Sequence, residues 1–179
     1  MQIKTMVVAF GLVVCLLTQP VVAGQLEDAL AAFDRSDYDA ATQLLLPLAE
    51  KGNSEAQTKM GVIYATGKGK PQNFVVAAKW FRLAATQNDA LAQTCLGHMY
   101  ENGEGVPQDY AAALALYRLA AVQNEALAQY QLGSSYENGL GVARDHFEAV
   151  KWYRLAADQG DTDAQAKLAI LYPNGQSMQ

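Results

Sequence analysis

The segment AKWFRLAATQN, starting at Ala78, returns as LALYRLAAVQN from Leu114 and as VKWYRLAADQG from Val150. The offset is 36 residues each time, with no gap. A degenerate earlier copy begins at Thr42 in the same register. Arg82, Arg118 and Arg154 align, as do Tyr64, Tyr100, Tyr136 and Tyr172. A short unit repeated in tandem cannot bury its apolar face alone. It must stack on its neighbours, so the chain is constrained to an array.

Each unit reads as two helices. In NFVVAAKWFRLAATQ, apolar residues fall at Phe74, Ala77, Trp80, Phe81 and Ala84, which is helical spacing. Asp37, Asn73, Asp109 and Asp145 precede this helix and can cap it, and Asp145 with Glu148 has capping-box spacing. Gly52, Asn88, Asn124 and Gly160 end it, the residues that a left-handed C-cap favours. A second helix starts at once, carries AQxxLGxxY, and stops at Gly67, Gly103, Gly139 and Gly175. So short a link predicts an antiparallel hairpin. Gly61, Gly97 and Gly133 recur inside the second helix at a cost of about 1 kcal/mol each, which predicts close helix contact there. Ala169 takes that slot in the last copy. Pro47 predicts a kink in the first copy.

The loop YENGEGVPQDY, residues 100 to 110, resembles a ligand loop in composition. Its counterparts YATGKGKPQNF and YENGLGVARDH exchange Glu104 for Lys68 or Leu140. Only the glycines and the cap persist, so the loop reads as a joint between hairpins. Residues 25–35 predict an extra leading helix, and both ends read as caps of an array.

Residues 1–23 have the layout of a secretory signal peptide: one Lys, the apolar run MVVAFGLVVCLL, and small residues before a cleavage site near Ala23. The run is short for a membrane span, and an uncleaved anchor is the other reading of it. Residues 24–179 then form a single repeat domain in the periplasm or outside the cell. Cys15 falls in the leader, leaving Cys95 without a disulfide partner in its own chain. The formal net charge of -5 argues against a nucleic-acid backbone and anionic lipid as partners.

The pattern AxAQxxLGxxYxxGxGVxxDxxxAxxWYxxAAxxG resembles the Sel1-like repeat, a relative of the tetratricopeptide repeat, over about residues 37–175. The first copy departs from it by lacking the Trp and the Arg, and residues 141–144 by lacking the Pro. The resemblance implies an all-α, right-handed solenoid of helix hairpins used as a scaffold for binding proteins. Some exported, cysteine-rich relatives have been linked to penicillin binding. They carry a disulfide in each repeat, which this chain lacks, so that link does not transfer.

Catalytic signatures are sparse. After residue 23 the only histidines are His98 and His146. His146 takes the slot of Tyr38, Phe74 and Tyr110 and is expected to pack between helices. Cys95 and His98 are three apart on one helix, but no third residue is placed to orient the base. The sequence contains no HExxH, CxxC, Walker or GxSxG motif, and it calls for no metal or cofactor. Cys95 shares its slot with Lys59, Gln131 and Lys167, which predicts partial exposure and an intermolecular disulfide. The repeated Arg side chains are expected to lie over apolar surface and pair with acids.

Binding residues are sought where copies differ. By resemblance to tetratricopeptide repeats, the AQ helix lines a concave groove, with Thr94, His98, Glu101, Tyr130, Ser134 and Glu137 at its middle. That mixture suits a peptide or protein of basic character. The expected function is a non-enzymatic protein-binding scaffold, monomeric or weakly dimeric. The competing classes are a hydrolase acting on cell-wall material or an antibiotic (β-lactamase-like, as suggested for the cysteine-rich relatives) and an oligomerisation module.

Overall fold

Short polar side chains stand where each helix needs its first N–H groups satisfied, and these caps divide the chain into helices. The computed structural model describes residues 24–171. Helix α1 covers 24–34. It is followed by α2 (Tyr38–Glu50), α3 (Ser54–Thr66), α4 (Phe74–Thr86), α5 (Ala90–Asn102), α6 (Tyr110–Ala121), α7 (Ala126–Asn138), α8 (His146–Asp158) and α9 (Thr162–Leu171). Tyr172 and Gly175, and the expected leader, lie outside the described residues.

Asp37, Asn53, Asn73, Asp89, Asp109 and Asp145 each accept a backbone N–H two or three residues on. Asp161 does the same for Ala164. Glu125, the one longer side chain in this series, makes no capping bond. The Asp145–Glu148 capping box is incomplete, because the Glu148 carboxylate accepts from Lys151 instead. Asn88 and Asn124 have φ of +67°, and Gly52 and Gly160 have φ of +94° and +92°. Pro47 stands inside α2, which runs unbroken to Glu50. The proline removes a donor only in the last turn, and Gln43, whose carbonyl it deprives, is exposed to water.

Consecutive helices pack as antiparallel neighbours, and α3, α5 and α7 each pack more extensively on the following helix than on the preceding one. The glycine slot explains this. A Cβ on Gly61 would lie 2.5 Å from the Phe81 ring, one on Gly97 2.7 Å from Tyr117, and one on Gly133 2.8 Å from Tyr153. Those three rings are buried to within 2%. The ring of each following helix therefore rests on bare backbone. Ala169 is tolerated at the fourth position, where the described residues contain no further helix. Tyr64, Tyr100 and Tyr136 each pack against two successive apolar clusters and so join the units into one continuous core.

A second ladder is polar. Gln57, Gln93 and Gln129 are 2–3% exposed. Each donates through Nε2 to a carbonyl of the preceding helix, namely Ala49, Ala85 and Ala121. Each also accepts, at 2.8 Å, from the Gln that ends the next helix, namely Gln87, Gln123 and Gln159. The AQ of the motif is thus a hydrogen-bonded spine. Gln129→Leu should lower stability by about 1–2 kcal/mol, read as the urea midpoint at constant m-value, because it removes the buried amide's bonds to the Ala121 carbonyl, which keeps the Asn124 N–H, and from Gln159. A change below about 0.5 kcal/mol, the range of ordinary surface substitutions, would rule out the spine as a stabilising element.

Two of the repeated arginines differ from expectation. Arg82 and Arg118 donate to the hydroxyls of Tyr100 and Tyr136, at 3.3 and 2.9 Å, and Arg118 also lies over the Tyr136 ring. Glu101 and Glu137, the acids beside those tyrosines, are instead taken by the hydroxyls of Tyr117 and Tyr153. His146 is also corrected. It is exposed at the start of α8.

Candidate functional site

Helices α3, α5 and α7 share one face, and together they line a cleft of about 270 Å³. Its apolar walls are Val62, Ala65, Phe81, Met99 and Leu127. His98, Glu104 and Gln131 bring polar atoms to it. Helical register explains the set: Val62, Ala65 and Thr66 fall within one turn of α3, and Cys95, His98 and Met99 within about one turn of α5.

Of the sequence-predicted groove residues, Thr94 and His98 line this cleft. His98 has half its side chain exposed, and Nδ1 lies 3.9 Å from a Glu104 carboxylate oxygen. Thr94 is a correction. It is 1% exposed, and its hydroxyl donates to the Ala90 carbonyl, so it contributes floor rather than a free hydrogen bond. Glu101 and Glu137 are half-buried and already engaged. The Tyr117 hydroxyl donates to Glu101 at 2.7 Å and the Tyr153 hydroxyl to Glu137 at 2.6 Å. Lys167 also meets Glu137 at 2.8 Å. Burial raises the Glu137 carboxyl, but hydrogen bonds from Lys167 and Tyr153 outweigh it and hold the group below its ordinary range. Tyr130 packs against the Tyr153 ring with centroids 5.5 Å apart, and burial raises its hydroxyl. Ser134 is half-buried. The six residues thus divide between the cleft, with Thr94 and His98, and a second, more occupied stretch formed by Glu101 at the end of α5 and by Tyr130, Ser134 and Glu137 on α7.

Cys95 is half-buried on the cleft wall. Burial, followed by the charges of Glu125 and Asp89, pushes its thiol up to about 12. The protonated thiol is a poor nucleophile for disulfide exchange, which disfavours the expected intermolecular disulfide on kinetic grounds. The expected partial exposure is present, since Cys95 is half-buried like Lys59, Gln131 and Lys167 in its slot.

Sequence reasoning missed Glu104, Leu127 and Gln131. Glu104 was set aside because its counterparts are Lys68 and Leu140. Such variation is also what a specialised position shows.

The Sel1 repeat matches the chain three times, over residues 54–89, 90–124 and 126–161. The chain belongs to the Sel1 repeat family. Similar solved structures include a protective antigen present in uropathogenic Escherichia coli strains, which displays an SLR fold, with 36% identity and a TM-score of 0.76. That match covers 87% of this chain and 34% of the antigen. A Sel1 repeat protein from Oxalobacter formigenes is 33% identical with a TM-score of 0.78, covering 84% of this chain and 60% of that one. This Sel1 repeat chain therefore spans about a third and three fifths of the length of these two. Cysteine rich protein B of Helicobacter pylori shares the fold at 23% identity and a TM-score of 0.60, over 73% of this chain and 96% of that one. No curated protein sequence matches. Among the described residues no helix is long and apolar enough to cross a membrane.

Proposed function

We propose that this Sel1 repeat chain is a non-enzymatic interaction scaffold that holds a peptide or protein segment of basic character along the face formed by α3, α5 and α7. The observation that carries this reading is the cleft of about 270 Å³, which has apolar walls and a few polar atoms at its rim. Glu104 at that rim, with Glu101 further along, sets the sign of charge that suits a partner. The protonated Cys95 thiol counts against nucleophilic chemistry beside His98. Residues 1–23 are proposed as a cleaved signal peptide, with 24–179 as one domain placed in the periplasm or secreted.

The test is a photoreactive amino acid at Ser134, on the groove face, and at Leu119, which is 52% exposed on α6. In intact cells the Ser134 position should give a discrete adduct that the Leu119 position does not. Matching adducts from both sites, or none from Ser134, would reject the groove. An intact mass of the exported protein starting at Gly24 checks the cleavage.

A further inference from the structure

The cleft has a cause that the repeats themselves reveal. In two copies the groove carries an acid–phenol pair, Glu101 with Tyr117 and Glu137 with Tyr153, bonded at 2.7 and 2.6 Å. The 36-residue register places Ala65 where those copies have Glu, and Phe81 where they have Tyr. Both polar partners are missing together. Either change alone would leave a half-buried carboxylate or a buried hydroxyl without its mate, so the two substitutions form a consistent pair. Their joint effect is to replace a carboxylate with a methyl group beside an aromatic ring, and both Ala65 and Phe81 line the cleft.

We propose that this cleft is an anchor site for one bulky apolar side chain of a bound peptide, read together with an adjacent Lys or Arg. The inference rests on the groove reading above and names the chemistry of its partner. The volume of about 270 Å³ falls just below the range of about 300–1,000 Å³ typical of small-molecule sites, and suits a single side chain. Water inside would find few partners along walls made by Val62, Ala65, Phe81, Met99 and Leu127, so an apolar group gains by displacing it. The cationic neighbour follows from Glu104. It is the acidic residue of the lining, and among the described residues its carboxylate meets the His98 ring, at 3.9 Å. Gln131, on the opposite wall, can pair with a peptide backbone.

A second copy of the chain is the rival occupant, because Arg–Leu pairs recur at 82–83, 118–119 and 154–155. Those leucines are 46–52% exposed, so about half of each is already covered within its own chain and less is free to fill a cleft.

The test replaces the pair with the one its sister repeats use, Ala65→Glu with Phe81→Tyr. A phage-displayed random peptide library is selected on the wild-type chain, and enriched peptides are measured on both forms by fluorescence anisotropy. Enriched peptides should carry a large apolar residue beside Lys or Arg, and should bind the double variant about tenfold more weakly or worse, with its circular dichroism unchanged. Leu127→Lys, at a position 43% exposed, gives a second variant should the first fold poorly, and should weaken the same peptides by setting a cation beside theirs. Enriched peptides that bind every form equally would leave the groove reading standing and overturn the anchor. No enrichment at all would overturn both. Light scattering that shows wild-type self-association, lost in the double variant, would assign the cleft to a second copy and overturn the peptide.

Discussion

Gly105→Ala should be among the most damaging single-methyl additions in this chain. Gly105 has φ of +67°. A Cβ there would lie 2.3 Å from the carbonyl carbon of Phe74 and 2.4 Å from its oxygen. Both atoms are backbone at the start of α4, so no rotamer change relieves the contact. The left-handed conformation costs a non-glycine residue about 1–2 kcal/mol and overpacking a further 1–3, which gives a loss of about 2–5 kcal/mol. For a chain of this size that is a fall of roughly 5–15 °C in Tm. Gly160→Ala is the control: φ is +92° and nothing lies within 4 Å of the added methyl. It should cost only the conformational strain. Equal Tm shifts for the two variants would show that the loop does not bear on the neighbouring hairpin. The same contact recurs at Gly69 on Tyr38 and at Gly141 on Tyr110, so each loop docks on the hairpin before it.

Alkali should unfold this protein steeply. Burial raises the Tyr117 and Tyr153 hydroxyls above their ordinary value of 10.0, reinforced by Glu101 and Glu137, and raises Cys95 from 9.0 to about 12. All three are raised in the folded state. Their stabilising effect is complete below the unfolded values and is lost as pH climbs from those values towards the folded ones. Cys95 contributes between pH 9 and 10, and Tyr117 and Tyr153 join it above pH 10, with a smaller addition from Tyr130, which burial also raises. Each contributes up to about 1.4 kcal/mol per pH unit, so the slope above pH 10 approaches about 4 kcal/mol per unit. Urea titrations at pH 8, 10 and 11 read it directly. Tyr117→Phe with Tyr153→Phe should remove about two thirds of the slope above pH 10. An unchanged slope would mean that the phenols are not the groups responsible. Glu137 acts in the opposite window: its carboxyl is lowered, so its contribution is present above the ordinary value of 4.5 and lost as pH falls through the lowered one.

The glycines and caps were legible because they act locally. A left-handed backbone at Asn88 or Gly103, or an N–H waiting beside Asp109, is decided within a few residues, and the 36-residue register displays each decision several times. Partners more than a turn away were harder to read. The groove slots of Glu101 and Glu137 were visible as variable positions, but their bonds to Tyr117 and Tyr153 come from the next helix. Arg82 was assigned an acid and found a phenol 18 residues on.

Sequence by itself determined the array, its period, its helix boundaries and the family, because repetition and backbone capping are properties of neighbouring residues. Tertiary structure decided which rings rest on Gly61, Gly97 and Gly133, how Gln57, Gln93 and Gln129 link successive hairpins, and that Ala65 and Phe81 open a cleft between α3, α5 and α7. The physical reason is distance along the chain: burial and hydrogen-bond pairing depend on which helices meet, and packing alone brings those helices together.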